Sequence, residues 1–392
     1  MRAITRSLRG PSLATAALAA VLASGTPDLS AQGHQDGDKQ PIVLADQGSF
    51  SVGGRVVTAP GTFDATIPGA GARNDGQEFR IDQLYAQFQV PVNARRLPIV
   101  FIHGGAGTGR VWETTPDGRE GFQTIFLRRG FPVYIVDFPR RGRASIPSFT
   151  GALGDLSGTQ IIPPTTFAVG NQQAFLSWRL GPEYPNLYSN SQFPRGKEAL
   201  EQFLQSTVPI FSDNTQVIVD GLVALLNRIG PAILVTHSQS GLFGWLARVA
   251  SPNVKGIITF EGGYVFPQGE VPPALPRCNG DLIAQGSAVP PADFMKLTEI
   301  PIFVIYGDNQ PSCPMPNLIR DGQQLRPIFG KNFVETLKRH GGRASFVWTR
   351  EIGIYGNTHF SFLDRNNLQI ADLVSRFLRE EGLDRRGNGG DR

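Results

Sequence analysis

Ser238 stands in Ala232-Ile-Leu-Val-Thr-His-Ser-Gln-Ser-Gly-Leu-Phe-Gly-Trp-Leu-Ala247, and the residues on either side of it suit a nucleophile. Ala232 to Thr236 is an apolar, β-branched run of the kind that fills a strand buried on both faces. From Gly241 onward, Leu242, Trp245, Leu246 and Val249 recur at helical spacing. A strand that turns at once into a helix holds its turn residue at positive φ and needs small residues two positions either side. Thr236 and Ser240 occupy those places, where the nucleophile-elbow pattern carries glycine. Such a turn lifts the Ser238 hydroxyl to the carboxyl edge of a sheet. It also aims the N–H of Gln239, at the positive end of the new helix, where an oxyanion would form. The competing reading is an ordinary strand–loop–helix with a polar linker.

A serine hydroxyl is a poor nucleophile until a base takes its proton and a third group orients that base. There are five histidines. His34 lies in the polar N-terminal segment, His103 belongs to the loop after the third strand, and His237 points its ring away from Ser238. His340 ends a helix before Gly-Gly, a place for a cation. His359 alone follows the last strand with no apolar periodicity around it, and is the expected base. Two carboxylates compete to orient it. Glu261, in Phe-Glu-Gly-Gly, ends the strand after the elbow strand, where a charge needs a partner. Asp308, in Gly-Asp-Asn, ends the strand after that, and could equally serve a turn. His103-Gly104-Gly105-Ala106-Gly107 lets the backbone approach a substrate and offers the Gly105 N–H as a second oxyanion donor. No Lys-Ser/Thr follows this loop and it lacks G-x-G-x-x-G spacing, which argues against a nucleotide site.

The elements that must position these groups read as two alternating strands, Ser49 to Thr58 and Phe79 to Val90, then buried strands alternating with helices. The buried strands are Leu97–Ile102, Phe131–Val136, Ala232–Thr236, Gly256–Phe260, Ile302–Tyr306 and Ala344–Trp348. That order predicts an α/β fold with a mostly parallel, doubly wound sheet, in which chemistry lies beyond the carboxyl ends of the strands. Every candidate group sits at such an end. From about Arg143 to Asp213 periodicity gives way to Pro, Gly, Ser and aromatics, including Phe167, Phe175, Trp178, Tyr184, Tyr188 and Phe193. An irregular insert of this length reads as a lid or binding loop. Phe138, Arg140, Trp178 and Tyr264, on or beside these loops, are candidates to line the substrate pocket.

The chain of 392 residues opens with Arg2, Arg6 and Arg9 and an Ala/Leu-rich run too short to span a bilayer, so residues 1–31 read as a signal peptide. Its removal lowers the formal charge from +4 to about +2, and no basic stripe for nucleic acid remains. No later run is apolar for long enough to make a membrane span. Residues 32–48 read as a flexible segment, 49–382 as one α/β domain and 383–392 as a charged tail. The two cysteines, Cys278 and Cys313, suit one bridge in an oxidising compartment, with free buried thiols as the alternative; they are too few for a zinc site.

His103-Gly-Gly, Trp112-Glu-Thr-Thr-Pro-Asp-Gly118, Leu127-Arg-Arg-Gly-Phe131, Thr236-His-Ser-Gln-Ser-Gly241, Phe260-Glu-Gly-Gly263 and Asn357-Thr-His359 together resemble a group of exported bacterial α/β-hydrolase carboxylesterases. The resemblance spans about Ile99 to Phe377. It implies hydrolysis of small carboxylic esters, including de-esterification of sulfonylurea herbicides, by a Ser-Glu-His triad. Carried over, the triad is Ser238, Glu261 and His359, which favours Glu261 over Asp308 as the acid. No metal or cofactor is implied, and the product is expected to be exported, to a periplasm or outside a bacterial cell. The sequence leaves open whether the chain pairs as a homodimer. A polyester depolymerase or lipase, with the insert as a platform, is the competing enzyme, and a non-catalytic binding module is the competing non-enzyme.

Overall fold

Eight strands carry the architecture: β1 (Leu44–Thr58), β2 (Glu78–Pro91), β3 (Ile99–Ile102), β4 (Val133–Asp137), β5 (Ala232–His237), β6 (Val254–Phe260), β7 (Ile302–Tyr306) and β8 (Ala344–Trp348). They form one sheet in the order β1-β2-β4-β3-β5-β6-β7-β8. β2 pairs antiparallel with β1 and with β4, and every other pairing is parallel. The computed structural model describes residues 40–69, 75–144, 168–210, 215–314 and 318–387, and its contacts gather into a unit from Ile42 to Arg392. The expected signal peptide lies outside the described residues.

Parallel strands need crossovers, and among the described residues eight helices supply or flank them: α1 (Phe122–Arg128), α2 (Asn171–Ser177), α3 (Lys197–Leu204), α4 (Thr215–Ile229), α5 (Ser240–Ala250), α6 (Pro291–Thr298), α7 (Arg326–Arg339) and α8 (Asn367–Glu380). The strands divide their side chains between two cores by strict alternation. Ile99, Phe101, Ile233, Val235, Ile258, Phe303 and Ile305 face α1, α2, α3 and α8. Val100, Ile102, Leu234, Ile257, Ile302 and Val304 face α4, α5, α6 and α7. Both faces are dry, which is why these strands read as unbroken apolar runs. None of the described helices is long and apolar enough to cross a membrane.

Three features differ from expectation. β1 begins at Leu44, because Leu44 to Gly48 already pairs with the far end of β2, so the segment 32–48 expected to be flexible ends inside the sheet. The tail beyond Leu383 is tied down as far as Arg386. The Arg96 N–H donates to the Arg385 carbonyl (2.9 Å), Arg95 bridges to Arg386, and Leu383 is buried. The insert holds two helices, α2 and α3, too short for their periodicity to stand out among Pro and Gly. Its aromatics are largely packing: Phe175 and Phe193 are buried in the core, and Trp178 sits edge-on between Phe203 (5.4 Å) and Phe360 (5.2 Å). Phe167 and the rest of 145–167 lie outside the described residues.

Cys278 and Cys313 form a disulfide, with their Cα atoms 5.5 Å apart. Asp321 accepts the N–H groups of Cys278 and Asn279 (2.8 and 3.1 Å), so the bridge joins a loop already pinned to the chain beyond it. The bridge closes a loop of 35 residues, and in the entropic account it stabilises the fold by ~3–4 kcal/mol. Cys313→Ser should lower the unfolding free energy extrapolated from a urea titration by that amount while leaving kcat within about twofold.

Candidate active site

Ser238 follows β5 at φ 52°, in the left-handed region that only a sharp turn imposes on a residue with a side chain. Its N–H donates to the Phe260 carbonyl (2.8 Å) and its carbonyl accepts from Gly241 N–H (3.0 Å), closing the turn into α5. The two non-glycine positions of the elbow are each accommodated. Thr236 is admitted because residue 244, one turn into the helix, is glycine: a β-carbon there would stand 2.8 Å from Thr236 Cγ2. Ser240 makes use of its side chain. Its Oγ accepts from His237 N–H (2.8 Å) and donates to the His237 carbonyl (2.9 Å), bracing the turn from within.

β6 ends in the same way. Glu261 takes φ 51°, and its N–H donates to the Ile305 carbonyl (3.0 Å). Gly262 then meets Gly241 main chain to main chain, where a β-carbon on Gly241 would lie 2.7 Å from the Gly262 Cα. The turns at Ser238 and Glu261 are thus in direct backbone contact. Glu261 is buried, and its Oε2 lies 2.7 Å from Nδ1 of His359. Its Oε1 accepts from Gly307 N–H (2.9 Å) and from Arg179 Nη2. Burial pushes this carboxyl up, but the Arg179 guanidinium and then His359 outweigh it and hold the group well below the usual carboxylate range.

The His359 loop is held on both sides. Its N–H donates to the Trp178 carbonyl (3.1 Å), and its carbonyl accepts from Nε2 of His237 (3.0 Å). That bond fixes the proton of His237 on Nε2, with its ring 4.5 Å from that of His359. Asp364, buried, accepts from Asn357 Nδ2 (2.9 Å), Thr358 N–H (2.8 Å) and Thr358 Oγ1 (3.0 Å); burial pushes its carboxyl up to about 7. Burial also pushes the His359 imidazolium below its ordinary value of 6.5, Glu261 opposes this, and Arg179 adds to it.

On the other side of Ser238 runs the loop after β3. A β-carbon on Gly104 would stand 3.1 Å from the Ser238 Cβ and 2.8 Å from His237 Nδ1, and one on Gly105 would stand 3.2 Å from Gln239 Oε1. His103 locks this loop. Phe138 N–H donates to its Nε2 (3.3 Å), so its Nδ1 carries the proton and donates to the Gly104 carbonyl (2.8 Å). Burial keeps it neutral, with its pKa pushed down to about 4.

The structure therefore brings Ser238, Gln239, Gly104, Gly105, Glu261 and His359 to one end of the sheet. Asp308 is engaged elsewhere: Gly356 N–H donates to its Oδ2 (2.8 Å) and Arg350 pairs with its Oδ1 (3.3 Å). Three expected pocket residues belong to the framework instead. Phe138 is buried edge-on against Phe243 (5.4 Å). Arg140 pairs with Asp82 (2.6 Å). Tyr264, buried, donates to the Tyr306 hydroxyl (2.9 Å). Each sits beside a loop end in sequence but turns its side chain into the second core or the sheet margin. Trp178 is half-buried, and its carbonyl rather than its ring is what meets the site. Sequence reasoning missed Arg179 and the supporting role of His237. An arginine in an irregular insert carries no local signal, but an arginine amid Phe175, Leu176, Trp178 and Leu180 invites the question of which anion it meets.

The sheet order and the turn at Ser238 define an α/β-hydrolase. No protein-family model matches the chain. The probable secreted lipase phiG of Fungal sp. (strain ATCC 74256) is 31% identical over 330 residues, which cover 78% of this chain and 88% of that protein. A bacterial esterase solved at atomic resolution superposes with a TM-score of 0.69 at 29% identity, covering 88% of this chain and 98% of that one. The chain belongs to the esterase and lipase family of α/β-hydrolases, and is a carboxylic ester hydrolase.

Proposed function

We propose that the protein is a serine esterase working through an acyl-enzyme. His359 Nε2 takes the Ser238 proton as Oγ attacks the ester carbonyl; Glu261 holds the other ring nitrogen and steadies the imidazolium. The N–H groups of Gly105 and Gln239 receive the tetrahedral oxyanion, each contributing roughly 3 kcal/mol. The imidazolium then protonates the departing alcohol. Water, deprotonated by the same histidine, releases the acid. The chemistry calls for no metal or cofactor. What carries the reading is the 2.7 Å contact of Glu261 with His359 Nδ1 beside a serine turned out of its strand at φ 52°.

The substrate class we favour is small carboxylic esters, extending to methyl esters of the sulfonylurea type; this extension rests on the motif resemblance. The 31% identical relative named as a lipase supports a second reading, longer-chain lipid esters. The same relative, named as secreted, supports export, to a periplasm or the medium, after loss of residues 1–31. A fluorophosphonate probe should label Ser238 stoichiometrically, and p-nitrophenyl acetate should be turned over faster than the palmitate. Label on another residue, or none on active protein, would refute the serine mechanism; a preference for palmitate would move the substrate class to lipids.

The same site sets the pH dependence. Only neutral His359 can accept the serine proton, and its pKa lies below 6.5, lower than a midpoint of about 6–7 expected for an unperturbed imidazole. The acid limb of kcat/KM should therefore fall below pH 6.5, and a profile already half lost above 6.5 would contradict it.

A further inference from the structure

Arg179 is fully buried, follows α2 in the insert, and takes φ 60°, a left-handed backbone that a side-chain-bearing residue rarely adopts. Its Nη2 donates to Glu261 Oε1, the oxygen that Gly307 N–H (2.9 Å) also reaches, while Oε2 faces His359. The residue before it, Trp178, gives its carbonyl to the His359 N–H (3.1 Å). Two successive residues of the insert thus hold both the carboxylate and the imidazole loop.

From this geometry we infer that Arg179 is a positioning residue of the esterase reaction: it keeps Glu261 ionised and turned toward His359 Nδ1, so the site is complete only with residues 178 and 179 in place. The inference rests on the Ser238–His359–Glu261 reading. A carboxylate this deeply buried, with a neutral imidazole and one N–H as its other partners, would gain a proton readily; a charge-assisted bond to guanidinium opposes that and fixes which oxygen is left for the histidine. The same cation disfavours the imidazolium, so it helps keep His359 neutral as a base. The other charged or titratable groups around the pair are His237 and Arg326 beside His359, and Tyr264, Tyr306 and Asp364 beside Glu261. None of these hydrogen-bonds the Glu261 carboxylate.

Arg179→Met should lower kcat for a soluble ester by about 10–100-fold with little change in KM. It should also move the acid limb of kcat/KM upward by about one pH unit, because His359 loses a positive neighbour. Arg179→Lys, which restores the charge, should recover most of kcat and return the limb. If the methionine variant does not fold, Arg179→Gln, which keeps a donor and drops the charge, is read in the same way. A folded Met or Gln variant with wild-type kcat and an unmoved limb would overturn the inference. So would a loss of kcat with an unmoved limb that lysine does not repair, which marks a structural role. Parallel Ser238→Ala and His359→Ala variants separate the two readings: if they are inactive while the Arg179 variants behave as wild type, only the inference falls; if they stay active, the triad itself falls.

Discussion

Ser238→Ala is expected to reduce kcat for ester hydrolysis by about 10³-fold or more while leaving the fold intact, since the side chain sits at a half-buried turn closed by main-chain bonds that alanine can still make. On the proposed mechanism the variant keeps its oxyanion donors and its base, so what remains should be slow, water-driven hydrolysis. His359→Ala should cost as much. The double variant should cost little more than either, because a nucleophile without its base and a base without its nucleophile are equally idle. Measured kcat values for the three variants decide this. Losses that multiply would mean that two separate mechanisms had been removed, and a Ser238→Ala enzyme retaining a few per cent of kcat would require another nucleophile.

Glu261→Gln should be nearly as severe, with kcat falling by about 10³–10⁴-fold. The reason lies in how the carboxylate is shared. Oε1 faces two donors, Arg179 Nη2 and Gly307 N–H, and Oε2 faces one, His359 Nδ1. An amide placed here will turn its oxygen toward the two donors and its NH₂ toward the histidine. Nδ1 must then be the bare nitrogen, Nε2 carries the proton, and the ring cannot accept one from Ser238. Asp308→Asn makes the contrast. That carboxylate supports Gly356 N–H and Arg350, both of which an amide oxygen can still approach, so kcat should stay within about threefold and the cost should appear as at most about 1 kcal/mol of stability. The reverse pattern, with Asp308→Asn crippling and Glu261→Gln mild, would reassign the acid.

Much of this arrangement is legible in the sequence because it is local. The apolar strands, the turn at Ser238 and the glycines after His103 and Glu261 are written in runs of a few residues. Their meeting at one sheet edge follows from strand order alone. What is not legible depends on side-chain direction across long separations. Phe138, Arg140 and Tyr264 flank the right loops, yet burial of their bulk in the core and, for Arg140, pairing with Asp82 turn them away from substrate. Arg179 is the converse. It lies in the least regular stretch of the chain and reaches Glu261 across a separation of 82 residues. Asp308 and Glu261 could not be separated by residue type either; which one faces His359 is decided by the left-handed turn at 261 and by the prior claims of Gly356 and Arg350 on 308.

The bare meeting of Gly241 with Gly262 bears on any attempt to retune the enzyme. With no side chain between them, the spacing of the turn at Ser238 from the turn at Glu261 is a property of two peptide backbones. A designer can therefore vary the side chain of Gln239, which faces Gly105, and expect survivors in which only selectivity has changed. Positions 241 and 262 should be frozen in such libraries: even alanine would wedge apart the two turns that must stay in register, and the variants lost there would be inactive rather than altered in preference.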